Sequence, residues 1–311
     1  MPADIKARPS GNDDARAKKM QELFSRIEAG VSGVFTSDNY RSYLRTMAKF
    51  HRYSARNCLL IHLQRPEATM VAGFDAWKKK FHRHVLAGEK GITIIGYALK
   101  SSTLRKPLRD EKGDPVIGDD GKPAIEYVKH SYPVYFPVYV YDVSQTEGEP
   151  LPQLVHDLEG DVASYQDFLA SCRKLSPYPI EFENIASPNV RGYCSFEEQR
   201  IVVRSGLRQV QPAKTVLHEI THAILHNEGD AKTRAEKELE AESAAFVICS
   251  HYGIDTSEYT FPYLASWCRQ ERDKLERCLD AIQKHAFSVI EQLDASMLEL
   301  EKAKADRSSL P

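Results

Sequence analysis

The chain has 311 residues, of which 42% are hydrophobic and 28% charged, with a formal net charge of -2. This composition is typical of a globular protein and excludes disordered and fibrous classes. No apolar run approaches the roughly 18–20 residues of a membrane helix, and the first twenty residues lack the apolar core of a secretory signal. We therefore expect a cytoplasmic protein with reduced cysteines and no membrane partner.

The nearly neutral charge is the average of two halves of opposite sign. Residues 1–143 carry 24 Lys and Arg against 16 Asp and Glu, whereas residues 144–311 carry 18 against 28. The composition changes near residue 145, where QTEGEPLPQ is typical of a linker. The sequence thus predicts a flexible tail over residues 1–11, a first domain over 12–145 and a second over 146–311.

Helices and short strands are predicted along the first half from its hydrophobic spacing. The helices cover residues from Asn12 or Asp13 to about 30, then 37–50, 55–63 and 74–81. The strands cover 70–72, 91–97 and 134–143. The segment between the last two strands is rich in charge, Gly and Pro, and we interpret residues 101–130 as a mobile hairpin loop.

The second half shows the same mixture of helices and strands. The helices are predicted over 161–175, 212–226 and 234–252, followed by an amphipathic stretch over about 263–303 that forms one helix or two. The strands are predicted over 180–183 and 201–204, the latter closing a hairpin that starts at residue 193. The expected fold class is α+β, with a small sheet and helices in the first domain.

The strongest chemical signal is His218-Glu-Ile-Thr-His222. Histidines four residues apart face the same side of a helix, so both imidazoles can bind one Zn²⁺. Glu219 lies where a carboxylate can act as a general base. The apolar neighbours of this motif predict a buried helix with its polar pair in a cleft.

A catalytic zinc needs a third protein ligand and an open fourth position. His226 lies at the end of the helix, and no glycine breaks the helix to bring it round. Glu238 and Glu242 share one face of the next helix beside small residues, whereas Glu240 points elsewhere. We assign Glu238 as the third ligand and Glu242 as an acceptor for the ring N–H of a ligating histidine.

HEITHAILH followed by AEKELEAESAAFVIC resembles the gluzincin-like metallopeptidase domains of the IrrE/ImmA type. The resemblance implies a zinc-dependent endopeptidase acting on a protein or peptide, and its ligand pattern agrees with Glu238. It also implies that the strand Ile201–Arg204 is an edge strand that binds extended peptide. Tyr252 and His251 are considered as groups that stabilise the transition state.

The basic half resembles a second family. YSARNCLLIHLQRPEATMVAGFDAWKKKFHRHVLAGEKGI and YVYDVSQTEGEPLP look like the single-stranded DNA-binding domain of ArdC-type antirestriction proteins. Phe81-His82 departs from the family, which tends to have Gly at this point. The resemblance implies a protein of a mobile genetic element with single-stranded DNA as partner.

The residues of this half independently suit single-strand binding, which combines cationic grooves with aromatic faces that stack on bases. At least one of Phe74 and Trp77 is expected to pack in the core instead. The candidate DNA-binding residues are Arg52, Tyr53, Arg56, Trp77, Lys78, Lys79, Lys80, Arg83 and Lys90.

Two functions follow from these patterns. The first is a zinc metallopeptidase fused to a single-stranded DNA-binding domain, with an antirestriction or regulatory role. The alternative is a non-enzymatic DNA-binding antirestriction protein whose zinc domain is structural or contacts a partner protein. The sequence identifies neither the peptide substrate nor the oligomeric state.

Overall fold

The computed structural model describes residues 11–34, 37–118, 121–151, 162–207, 210–226, 231–254, 261 and 272–308. The predicted tail therefore lies outside the described residues, except for Gly11. Helices and strands are mixed throughout, which confirms the α+β class. Within the described ranges, no helix combines the length and apolarity that crossing a bilayer requires.

The described part of the first half contains four α-helices and the first five strands. The helices are α1 (Gly11–Val34), α2 (Ser37–Lys49), α3 (Ala55–Gln64) and α4 (Phe74–Phe81). The strands are β1 (Val71–Gly73), β2 (Arg83–Val85), β3 (Ile92–Pro107), β4 (Ile125–Asp142) and β5 (Thr146–Gly148). Apolar spacing located the helices to within a few residues, although α1 continues through Gly30.

The second half contains three strands and four helices among the described residues. The strands are β6 (Ile180–Glu183), β7 (Gly192–Ser195) and β8 (Arg200–Arg204). The helices are α5 (Val162–Leu175), α6 (Val210–Leu225), α7 (Arg234–His251) and α8 (Arg272–Ser308). The start of the predicted C-terminal helix, at residue 263, lies outside the described residues.

The β8 strand is central rather than an edge strand, which corrects the interpretation of Ile201–Arg204. The sheet order is β6-β8-β7, with β8 parallel to β6 and antiparallel to β7. Ile201, Val202 and Val203 are buried, as is typical of a strand covered on both faces. The edge beside α6 is instead formed by β7, the first strand of the predicted hairpin.

Both ends of the segment over residues 101–130 are strand, and only its middle part has the turns of the predicted loop. β3 extends to Pro107 and β4 begins at Ile125, and isolated bridges join Arg109 to Pro115 and Ile117 to Pro123. β-branched and tyrosine side chains favour strand in both arms, and the Gly, Pro and Asp residues are concentrated at the tip. The predicted loop was therefore too long.

The predicted linker near residue 145 is partly structured, which also corrects the sequence interpretation. Gln145 is fully buried, and its side chain donates hydrogen bonds to Glu89 Oε2 at 2.6 Å and to the Lys90 carbonyl at 2.9 Å. The next three residues form β5, which pairs with β2. These short strands carried no hydrophobic pattern and were missed.

The contacts divide the chain into two compact units, residues 1–23 with 93–139 and residues 24–92 with 140–311. In the smaller unit, β3 and β4 form a long ribbon. In the larger unit, α7 packs against α2, α6 and α8, and Tyr40 is hydrogen-bonded to Ser243 over 2.8 Å. The limits of these units differ from the predicted domain boundary at residue 145. Whether the chain divides at residue 145 into two parts that fold independently stays a prediction.

Asp142→Asn is expected to destabilise the larger unit by about 2–3 kcal/mol at neutral pH. Asp142 is 2% exposed, and its carboxylate accepts backbone N–H groups from Thr69, Met70 and Ser144. Burial raises the pKa of this carboxyl, but the hydrogen bond from the Ser144 hydroxyl and those from the three backbone N–H groups outweigh burial and lower the pKa from its usual value of 3.8. An asparagine NH₂ would instead face donors.

Because the folded-state pKa is depressed, the stabilisation by Asp142 is present above about pH 4 and is lost as the pH falls through the folded value. Urea denaturation of both proteins checks this. The difference in unfolding free energy should be largest at neutral pH and shrink in acid, and a constant difference would contradict the explanation.

Candidate metal centre

Helices α6 and α7 bring His218, His222 and Glu238 together. The two histidines lie one helical turn apart on α6, so their rings project from the same face. The facing part of α7 contains the buried small residues Ala241 and Ala244, which permit close approach of the two helices. The spacing seen in the sequence is thus converted into a cluster in space.

The three predicted ligands form a compact set of donor atoms. The Nε2 atoms of His218 and His222 are 3.0 Å apart, and Glu238 Oε2 lies 3.5 Å from the first and 3.8 Å from the second. A tetrahedral zinc with bonds of about 2.0–2.1 Å separates its ligand atoms by roughly 3.3–3.4 Å. The donor types and their separations therefore fit a divalent metal such as Zn²⁺.

Glu242 lies behind His218. Its Oε2 is 3.2 Å from His218 Nδ1. Burial disfavours the charged form of His218, but hydrogen bonds with Glu238 and Glu242 outweigh it and raise its pKa to about 10. Two carboxylates that stabilise a positive charge at this ring produce an electrostatic environment suited to a cation.

A second chain of hydrogen bonds lies behind His222. His226 Nδ1 is 2.9 Å from His222 Nδ1, and His226 Nε2 is 3.0 Å from Glu240 Oε2. Lys232 also donates to this carboxylate, at 2.7 Å. His226 is a helix-end residue as predicted, yet it is buried and contacts a predicted ligand.

This series of hydrogen bonds determines which ring nitrogen of His222 carries no proton. Burial raises the pKa of Glu240, but His226 and Lys232 outweigh it and lower the pKa, so the side chain is an ionised acceptor. His226 Nε2–H donates to Glu240, and burial lowers the pKa of His226 and keeps it neutral. Its bare Nδ1 then accepts from His222 Nδ1–H, which leaves the Nε2 lone pair of His222 directed towards His218.

Glu219 lies between α6 and the edge strand β7. The side chain is buried, and its carboxylate accepts a hydrogen bond from the backbone N–H of Cys194. Burial raises the pKa of Glu219, while the neighbouring His218 and His222 oppose the shift. A carboxylate with a raised pKa, held in place by a backbone donor, is suited to accepting a proton.

An open cleft of about 680 Å³ lies over these residues. Its walls include the whole donor set, Glu219 and the segment from Asn189 to Cys194. Tyr193 and Arg234 also line it, and sequence reasoning missed both because neither belongs to the motif. Only the fold, which places β7 and the start of α7 at the same opening, shows their proximity.

Tyr252 and His251 do not line this cleft, which corrects their suggested role. Tyr252 is fully buried and donates to Asp294 Oδ1 at 2.8 Å. His251 lies against α2, with its Nδ1 3.3 Å from the Ala48 carbonyl. Both residues therefore support helix packing.

Gly192→Ala is expected to displace β7 from α6 and to reduce any activity that depends on Glu219. A Cβ at Gly192 would lie 2.5 Å from Thr215 Cγ2 and 2.8 Å from the Val202 carbonyl oxygen. Such contacts require movement of the strand. The melting temperature and the rate of any Glu219-dependent reaction should both fall. Gly88→Ala, with no atom within 4 Å of its Cβ, should leave that rate unchanged despite the positive φ. An equal loss of rate in both variants would contradict the packing argument.

The predicted DNA-binding residues have mixed environments. Arg52 Nε donates to Glu291 Oε1 at 2.9 Å, and Arg56 is paired with Glu276 at 3.2 Å. The hydroxyl of half-buried Tyr53 donates to the Val71 carbonyl. These contacts leave the two arginines facing carboxylates.

Trp77 and Arg83 have structural roles, which corrects their assignment to DNA. Trp77 is fully buried and donates through Nε1 to the Tyr141 carbonyl, so neither ring face is available to a base. Arg83 donates to Thr146 Oγ1 and to backbone carbonyls of β5. At least one of Phe74 and Trp77 was expected to pack in the core; Trp77 does so, and Phe74 is exposed. The remaining candidates Lys78, Lys79, Lys80 and Lys90 are also exposed.

The fold and the donor cluster define a protein with an N-terminal mixed domain and a metallopeptidase-like C-terminal domain. Residues 13–141 match the N-terminal domain of anti-restriction factor ArdC, and residues 177–262 match the IrrE N-terminal-like domain. These two matches confirm the two resemblances seen in the sequence, an ArdC-type domain in the first half and an IrrE-type domain in the second.

Individual relatives are distant. The uncharacterized protein pXO2-81 of Bacillus anthracis is 24% identical over 320 residues, covering 92% of this chain and 53% of that protein. The chain therefore spans about half the length of this curated relative. Metal-free antirestriction protein ArdC from plasmid R388 has a TM-score of 0.50 and 20% identity, covering 79% of this chain and 86% of that one, which supports the fold alone. Its Mn(II)-bound structure has a TM-score of 0.46 and 18% identity, with coverage of 79% and 85%.

Proposed function

We propose that this chain is a zinc-dependent endopeptidase joined to a single-stranded DNA-binding domain, with an antirestriction or regulatory role on a mobile genetic element. The observation that carries the peptidase part is the cluster of His218, His222 and Glu238 beside Glu219 in an open cleft. A structural zinc site normally has four protein ligands and is closed. Three donors facing a cleft favour catalysis.

Zn²⁺ held by these three residues would act as a Lewis acid on a carbonyl oxygen and increase the acidity of a water molecule. Glu219 is placed to take the proton from that water and to return it to the leaving amine. Glu242 and His226 orient the two imidazoles from behind. Each of these tasks belongs to a residue whose contacts suit it.

The edge strand β7 supports a peptide as substrate. Among the described residues, β7 pairs only with β8, and its segment from Gly192 to Cys194 lines the cleft. An extended peptide could add to this edge through backbone hydrogen bonds, which would place one of its carbonyl groups beside the three metal-binding residues. The proposed peptide-binding strand is therefore β7 rather than the central β8.

The experiment is a cleavage assay with a peptide library, followed by mass spectrometry of the new termini. We expect the zinc-loaded chain to cleave, a chelator to abolish cleavage, and added zinc to restore it. The assay is run with and without a single-stranded oligonucleotide. Absence of cleavage in both conditions would contradict the peptidase proposal and favour the non-enzymatic alternative.

A further inference from the structure

The ribbon formed by β3 and β4 exposes several large aromatic side chains. Tyr97, Tyr127 and Tyr135 are 68%, 65% and 57% exposed. Folded proteins rarely leave so many large apolar groups together on one surface without a binding role. The function of this ribbon is not explained by the metal centre.

These three tyrosines share one face of the ribbon. The rings of Tyr97 and Tyr135 are 6.4 Å apart, and the guanidinium of Arg105 lies 5.9 Å from the centre of the Tyr127 ring. Both contacts join odd-numbered residues of the two strands. Because side chains alternate between faces along a strand, the odd-numbered residues of β3 and β4 lie on the same face. Lys129 belongs to the same face by this alternation. We call Tyr97, Arg105, Tyr127, Lys129 and Tyr135 the tyrosine face.

The charge on this face is entirely positive. The odd-numbered residues from 97 to 107 and from 125 to 139 include Arg105 and Lys129 and no Asp or Glu. The one carboxylate of these stretches, Glu126, alternates to the opposite face. Tyr127 and Tyr135 are eight positions apart, a distance of about 26 Å along a strand, which is long enough for several nucleotides.

We propose that the tyrosine face stacks on the bases of single-stranded DNA while Arg105 and Lys129 contact its phosphates. Exposed aromatic rings interleaved with cations are the features that single-strand binding requires, and every base offers a π-face. This inference rests on the proposed DNA-binding function and assigns it to the ribbon. It also supplies the base-stacking residues that buried Trp77 cannot provide.

The test measures binding of the full chain to a fluorescent single-stranded oligothymidine by anisotropy at about 50 mM salt. The double variant Tyr97→Ala/Tyr135→Ala should bind about ten- to a hundredfold more weakly than wild type. The double variant to Phe keeps both rings and should bind within about twofold of wild type. Circular dichroism verifies folding of each variant.

Tyr132 provides a matched control, because it is 40% exposed on the opposite face of the same ribbon, beside His130. Tyr132→Ala should bind like wild type. Equal weakening by Tyr132→Ala, or wild-type binding by the Tyr97→Ala/Tyr135→Ala variant, would overturn the assignment of the tyrosine face. If wild type itself fails to bind, the DNA-binding part of the proposed function is wrong.

Discussion

Glu219→Gln is expected to reduce peptide hydrolysis by about 10²- to 10⁴-fold, the usual contribution of a general acid–base group. The glutamine amide cannot take up a proton at neutral pH. Its oxygen can still accept the hydrogen bond that the Cys194 N–H donates to the Glu219 carboxylate. Glu219 does not belong to the three-donor cluster. Zinc affinity should therefore remain close to that of wild type.

Paired measurements of hydrolysis and zinc affinity check this prediction. Glu236→Gln is the matched control, because Glu236 is also buried but caps the start of α7 by accepting the Thr233 N–H. The amide oxygen of Glu236→Gln can still accept the Thr233 N–H, so this variant should remain folded and hydrolyse peptide at about the wild-type rate. Hydrolysis by Glu219→Gln at the wild-type rate would show that Glu219 is not the general base.

His226→Ala is expected to weaken zinc binding by about 10- to 100-fold, which is the usual effect of removing a residue that orients a ligand. His226 Nδ1 accepts the proton of His222 Nδ1, and Glu240 determines the tautomer that makes this possible. Without this acceptor, the ring of His222 is free to change tautomer or orientation, so its Nε2 is no longer reserved for the metal.

Titration of the metal-free chain with zinc in competition with a coloured chelator measures this effect independently of hydrolysis. His62→Ala is the control. His62, on α3, is also a half-buried histidine with a side-chain partner, since its Nδ1 lies 3.0 Å from Thr46 Oγ1. It should lower stability and leave zinc affinity unchanged. Wild-type affinity in His226→Ala would mean that this chain of hydrogen bonds does not orient His222.

The sequence predicted the parts of the site that depend on helical periodicity. His218 and His222 follow from a spacing of four on one helix, and Glu238 and Glu242 have the same spacing on the next helix; these spacings do not depend on how the helices pack. The order of the strands does not follow from periodicity, because an apolar strand such as Ile201–Val203 is compatible with an edge or a centre. The interpretation of β8 failed for this reason.

The DNA-binding residues were harder to predict because composition does not distinguish a buried aromatic from an exposed one. Trp77 satisfies its N–H by contacting the backbone of a distant strand, a contact with no local signal. Conversely, Tyr127 lies in a segment whose charge, Gly and Pro resembled a loop, and the predicted strands that contain Tyr97 and Tyr135 gave no sign that these rings are exposed. Pairing of the two strands over a large sequence separation placed them on one face.

The central claim is that one zinc binds between α6 and α7 with an open position for catalysis. Anomalous diffraction from zinc-loaded crystals tests it most directly. We predict one peak within about 2.0–2.2 Å of His218 Nε2, His222 Nε2 and a Glu238 oxygen, with the fourth position facing the cleft beside Glu219. A peak elsewhere, or a zinc closed by a fourth protein side chain, would contradict the account.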